Sequence, residues 1–260
     1  YSKRGAPLIC IPTTAGTGSE VTAAAVTTDR ETQQKIGVSH DLQMPAFAIV
    51  DPVLHVSMPP SVTAATGLDA LTHAIEAYIA VKANPVTDSL ALAAIRMIGE
   101  NLRLAVANGE DLEARGNMAL ASLIAGGSFT NAGLGAVHGI AHPVGAQFGV
   151  AHGVANGILL PFVMEYCLMA NYPKFRDIAV ALGKPVEGLT PRDAARLAVD
   201  AVCELKQDVG IPATLADVQV PPSALAGIVR DAATYRQLAN TPRRLGVDDL
   251  KAIVGRALGV

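Results

Sequence analysis

The sequence predicts a mainly α fold, an all-helical domain preceded by a short strand-rich segment. Three observations carry this expectation. Half of the 260 residues are hydrophobic and only 17% are charged, the composition of a chain that buries a large core without needing disulfides. From about residue 57 onward, apolar residues recur at helical spacing almost to the C-terminus. Before that point, β-leaning runs at 7–12 and 47–50 are separated by Gly/Thr/Ser-rich loops. The boundary is drawn to give a strand-rich 1–56 and a helical 57–260.

In order, residues 7–12 and 47–50 read as strands, in a piece too small to form a core of its own; it is expected to pack on the helices or on something outside this chain. Met58-Pro59-Pro60 marks the change to helix. Ser61 is placed to cap a helix to about residue 81, and Thr87 or Asp88 one to about residue 107. Further helices are expected at 111–130, 137–148, 153–169, 173–182, 191–209, 222–233 and 247–258, with Pro-Arg-Asp and Val-Asp-Asp starts at 191 and 247. There is no repeat and no low-complexity tract.

Composition also excludes function classes. A net charge of −3 without a Lys/Arg stripe argues against nucleic acid as a partner. Cys10, Cys167 and Cys203 are odd in number and far apart, which suits a reducing cytoplasm; each is expected to be a small buried hydrophobe. A membrane span needs about 20 mostly apolar residues. Residues 118–129 are too few, and 154–170 are interrupted by Asn156, Pro161 and Glu165, so no membrane association is expected.

Three of the six histidines crowd into VHGIAHPVGAQFGVAH at 137–152. His138 and His142 are four apart, hence on one face of a helix, and His152 follows a Gly/Phe/Gly turn that folds it back towards them. Asp69 and His73 form a second pair at the same spacing. A lone histidine on an apolar helix is more often a hydrogen-bonded core residue, but two such pairs point to a divalent first-row metal. Nitrogen and oxygen ligands without thiolate suit Fe(II), Zn(II) or Mn(II). His40 and His55 lack such company and read as surface or loop residues. Glu76, one turn beyond His73, is left without a role. Near the N-terminus, PTTAGTGSE at 12–20 places glycines among hydroxyl residues, a pattern that suits an anion as well as a plain turn between strands.

Taken together, PTTAGTGSE, VDP at 50–52, TAATGLDALTHAIEAY at 63–78, NAGLGAVHGIAHPVGAQFGVAHGVANGILLP at 131–161 and NTPRRLGVDDL at 240–250 resemble the iron-containing (group III) alcohol dehydrogenases, in family order and spacing. The resemblance implies Asp69, His73, His138 and His152 as ligands of Fe(II), with Zn(II) as the other candidate. It implies His142 as a residue beside the substrate, available to relay a proton. It implies Thr13, Thr14, Thr22, Lys35 and Thr66 as contacts of NAD or NADP, and Phe129 as part of the substrate pocket. Family members carry an α/β region with a Gly-Gly-Gly-Ser stretch ahead of this point. Residues 1–56 are therefore expected to be the end of a dinucleotide-binding domain, and the chain a C-terminal portion.

The implied reaction is metal-dependent hydride transfer between an alcohol, or its aldehyde or ketone, and NAD(P), in a cytoplasmic homo-oligomer. The alternatives are a zinc-dependent polyol or glycerol dehydrogenase of the same superfamily, a metal-dependent hydrolase, or a non-catalytic fragment that keeps the helical fold.

Overall fold

The computed structural model describes residues 5–29, 31 and 34–260, without the side chains of Thr28, Gln34 and Lys35. Its N-terminal part holds four strands in two pairs: β1 (Ile9–Cys10) lies parallel to β4 (Phe47–Ala48), and β2 (Ala24–Asp29) forms an antiparallel ribbon with β3 (Gln34–Ser39) in the register Ala24↔Ser39 to Asp29↔Gln34. The outer pair falls within the two expected strand runs. The ribbon is not anticipated by the sequence, because Ala, Thr and Gly dilute its apolar alternation and even Val26, Ile36 and Val38 stay exposed.

A parallel pair two residues long has no stability of its own. Its large apolar side chains remain open, 54% at Ile9 and 62% at Phe47. What holds the segment is the loop after β1, wedged against the helices. Gly18 adopts φ +58°, and a Cβ there would come within 2.7 Å of Gly126 Cα, so only glycine allows both the turn and the contact.

The remainder is helical: α1 (Pro60–Ile79), α2 (Pro85–Ala107), α3 (Leu112–Ala132), α4 (Ala136–Phe148), α5 (His152–Cys167), α6 (Tyr172–Ala181), α7 (Pro191–Asp208), α8 (Leu225–Ala232) and α9 (Val247–Leu258). Starts are set by local chemistry. The cap of α2 is Asn84 rather than the expected Thr87 or Asp88, and Thr87, already inside the helix, closes a capping box with it; Asp111 accepts from the Ala114 N–H before α3, and Thr190 accepts from the Asp193 N–H before α7. Proline opens α1, α2 and α7, where its missing N–H costs nothing. The expected Ser61 cap is thus displaced: the helix already begins at Pro60. The expected helix at 222–233 is a 3-10 turn, Pro222–Ala224, leading into α8.

Every residue of α1 from Gly67 to Ile79 is buried, so this helix is the axis of the domain, packed by α2, α3 and α5. Between α3 and α4 the chain turns by 108° through Gly133-Leu134-Gly135. Asn240 pins that corner, its Nδ2 donating to the carbonyls of Ala132 (2.7 Å) and Leu134 (3.1 Å). By length and composition the stretch His152–Ala170 could cross a membrane, contrary to expectation, but 61% of that window is buried inside the fold. Cys167 is buried as expected, whereas Cys203 lies on the outward face of α7 and is exposed, a correction to its reading as core.

Candidate metal and cofactor site

Asp69 and His73 project from one face of α1, His138 and His142 from α4, and His152 from the first position of α5. The helices bring these side chains together. One ligand atom each from Asp69, His73 and His138, all buried, lies within 4.8 Å of the other two. His152 stands beside the group, its Nε2 3.7 Å from Asp69 Oδ1; His138 Nε2 is 4.0 Å from that oxygen. The His73 and His138 rings stack at 4.7 Å, and His152 lies edge-on to His138 at 5.2 Å. His142 stands beside this set, 5.6 Å from the His152 ring and edge-on to Tyr235 at 5.1 Å. Phe129 stacks on His73 at 4.4 Å.

Outer partners orient the rings. His73 Nδ1 lies 3.1 Å from the Gly16 carbonyl, an acceptor only, so it carries the proton and leaves Nε2 as the lone-pair atom. His138 Nδ1 donates to Glu76 Oε2 at 2.6 Å, while Glu76 Oε1 accepts from the Val137 N–H at 2.7 Å. Asn156, one turn after His152, donates from Nδ2 to Asp69 Oδ1 at 2.7 Å and lies 3.2 Å from Nε2 of both His138 and His152. Two amide hydrogens face three such atoms, and the Asn156 Oδ1 is buried with no hydrogen-bond partner among the described residues. The centre holds more lone pairs than donors, which is the donor set a divalent cation balances.

The electrostatics agree. Burial, with His73 and His152 beside it, holds His138 well below the usual histidine range, so it is neutral and ready to ligate. Burial works to raise the Asp69 carboxyl, but His73, His152, His138 and the Asn156 amide together bring it below its ordinary value. Burial pushes Glu76 up to about 7, against the backbone N–H groups that favour its carboxylate.

The residues expected around the cofactor are more dispersed. Thr13 is exposed and Thr14 half-buried in the loop after β1. Thr66 directs its hydroxyl back to the Val62 carbonyl at 2.9 Å, and its Cβ backs Gly16, so it seats the loop on α1. Thr22 is buried and lines, with Ser19, Leu8, Cys10 and Gln43, a cavity of about 550 Å³ on whose wall none of the four expected metal ligands appears. The Lys35 side chain lies outside the described residues.

Three site features are not assigned by the sequence reading. Glu76 orients His138. Asn156, read only as a polar break in an apolar run, faces the ligand atoms; its spacing of four from His152 is the signal that could have found it. His55, read as a surface or loop residue, is 1% exposed because the Asp51-capped 3-10 turn Pro52–His55 rotates it inward, where Nε2 lies 3.0 Å from the Pro12 carbonyl.

Residues 63–258 match the family model described as "Fe-containing alcohol dehydrogenase family, C-terminal", and residues 1–52 the one described as "Iron-containing alcohol dehydrogenase". Among curated proteins, 1,3-propanediol dehydrogenase of Klebsiella pneumoniae is 46% identical over 96% of this chain and 65% of its own length. Long-chain-alcohol dehydrogenase 1 of Geobacillus thermodenitrificans is 48% identical over 96% and 63%. Among solved structures, a 1,3-propanediol oxidoreductase superposes with a TM-score of 0.97 at 44% identity, covering 99% of this chain and 67% of that one. An alcohol dehydrogenase from Oenococcus oeni does so with 0.97 at 40% identity, covering 99% and 67%. The chain spans 65% and 63% of the length of these two curated relatives.

Proposed function

The chain belongs to the iron-containing alcohol dehydrogenase family, and from that premise we propose that it serves metal-dependent hydride transfer between an alcohol, or its aldehyde or ketone, and NAD or NADP. The observation that carries this reading is the convergence of Asp69, His73 and His138 within 4.8 Å, with His152 3.7 Å from Asp69. These four residues would hold Fe(II) or Zn(II). The chemistry such an ion would supply is Lewis acidity towards an alcohol oxygen, which would ease loss of hydride from the adjacent carbon without a strong base.

The chain's own residues do the rest. Three neutral imidazoles and one carboxylate would leave a divalent ion with a net charge of about +1, enough to keep it a Lewis acid. The Gly16 carbonyl, Glu76 and Asn156 hold the ligand atoms in position. His142, beside His138 and His152 but assigned no ligand role, takes the proton the alcohol loses and passes it outward. Phe129, flat against His73, gives the substrate an apolar wall. Thr13, Thr14, Thr22, Thr66 and Lys35 are proposed to position the dinucleotide through the loop that Thr66 seats.

We further propose a cytoplasmic homo-oligomer acting on small molecules, without nucleic acid or membrane. The free cysteines and the burial of His152–Ala170 support this setting. The test is metal stoichiometry by mass spectrometry on the chain purified anaerobically with Fe(II) or Zn(II), beside His138→Ala, followed by NAD(P)H formation from an alcohol panel. About one metal per chain, lost in the variant, is expected. A folded wild-type chain that takes up no specific metal would refute the site.

A further inference from the structure

Glu76, Gly135, Asn240 and Thr241, with the apolar Ile79 and Val163, line a small recess beside the start of α4, with about 10 Å³ of room for a water centre. That is the lower bound for one water molecule. Two polar atoms address it. The Thr241 Oγ1 is buried and has no hydrogen-bond partner among the described residues. Glu76 Oε1 accepts from the Val137 N–H, and although the Gly135 N–H also favours this carboxylate, its two oxygens offer about four acceptor positions, enough for one more donor. Both oxygens face the same point: a Cβ built on Gly135 would stand 3.1 Å from each of them. They do not bond to one another directly. The glycine therefore keeps open a space flanked by a donor-acceptor and an acceptor, and a water with two or more polar partners is what such a space takes.

We propose that this recess is a single-water site, and that Thr241, through its water, is a positioning residue for His138. The water accepts from the Thr241 hydroxyl and donates to Glu76 Oε1, steadying the carboxylate whose other oxygen holds His138 Nδ1. The scaffold around it is fixed. Asn240, the preceding residue, ties the C-terminal segment to the α3–α4 corner and accepts from the Lys82 N–H at 3.1 Å. The site thus joins four segments distant in sequence: α1, the start of α4, α5 through Val163, and the Asn-Thr-Pro run at 240–242. The positioning role rests on His138 being a metal ligand; the water site does not.

The test uses the full chain in two measurements. A high-resolution crystal structure is expected to show one ordered water within hydrogen-bond distance of Glu76 Oε1 and Thr241 Oγ1. A dry recess, or a direct Thr241–Glu76 bond, overturns the water site. Zn(II) affinity is then read by competition with a chromophoric chelator. Thr241→Val is expected to weaken binding about 10-fold, as loss of an outer partner does, with the metal-free melting curve unchanged and Thr241→Ser restoring wild-type affinity. Wild-type affinity in Thr241→Val overturns the positioning role, as does an affinity loss that Thr241→Ser does not recover. Failure of the wild-type chain to bind Zn(II) overturns the metal reading and the positioning role with it, while the water is judged by the crystal alone.

Discussion

Gly153→Ala is a one-methyl change with a calculable effect on the proposed metal site. Gly153 follows His152 in the first turn of α5, and a Cβ there would stand 2.1 Å from the Ala65 carbonyl oxygen and 2.6 Å from its carbon, both on the backbone of α1. Neither atom can rotate away, and ordinary contact begins near 3.4 Å. The start of α5 must therefore retreat from α1 by about 1 Å, at the overpacking cost of about 1–3 kcal/mol. In a domain of this size that lowers Tm by about 2–12 °C. His152 moves with the turn, while Asp69 stays one turn beyond Ala65 on α1. Ligand distances tolerate only about 0.2 Å, so one ligand of four is lost and affinity should fall at least about 100-fold, the top of the range for a disturbed outer partner. Chelator competition for Zn(II) and thermal unfolding of the metal-free chain measure both effects. A Gly153→Ala chain that binds Zn(II) as tightly as wild type would refute the four-ligand geometry.

Three other outcomes follow from the same contacts. The buried Arg115 guanidinium donates to the Gly109 carbonyl (2.9 Å), Thr63 Oγ1 (2.6 Å) and the Met58 carbonyl (3.1 Å), so Arg115→Met leaves three acceptors unmet, those on Thr63 and Met58 buried. It should cost about 3 kcal/mol or more in urea unfolding, and a loss under about 1 kcal/mol would show that the network is dispensable. Burial lowers the His55 pKa below the 6.5 of the free side chain, although the Pro12 carbonyl favours its proton. As pH falls the unfolded chain takes up that proton first, so this contribution is intact above about pH 6.5 and is lost below it. His55→Gln keeps a donor for Pro12 without titrating, and its stability should decline less between pH 7.5 and 5.5; identical slopes would exclude His55 as the source. His142→Ala should retain the metal but slow alcohol oxidation and shift its pH profile in a form of the protein that turns over, whereas loss of metal would make His142 a ligand.

What the sequence discloses is what is local. Proline openings, the Asn84–Thr87 box and the Asp111 and Thr190 caps act within three residues, so helix starts can be read from neighbouring letters. The Asp69/His73 and His138/His142 pairs are legible because four residues on a helix define one face. Glu76 and His55 are not, since their partners lie 61 and 62 residues away (Val137 and His138) and 43 residues away (Pro12). Asn156 likewise meets Asp69 across 87 residues. No periodicity encodes such bonds; they exist only after α1, α4 and α5 have packed. The β2–β3 ribbon escapes for the opposite reason, its residues 24–27 and 36–39 being exposed on both faces and so imprinting little alternation on the sequence.

The bond from His73 Nδ1 to the Gly16 carbonyl makes two parts of the protein share one free energy. Gly16 belongs to the threonine-glycine loop, and His73 to the proposed metal centre. A ligand that reshapes the loop shifts the imidazole, and an ion that draws on His73 stiffens the loop through the same atoms. Thermodynamic linkage then requires each to alter the other's affinity by an equal factor. Titrating metal at several dinucleotide concentrations, and dinucleotide at several metal concentrations, must return one coupling constant, which His73→Ala should erase.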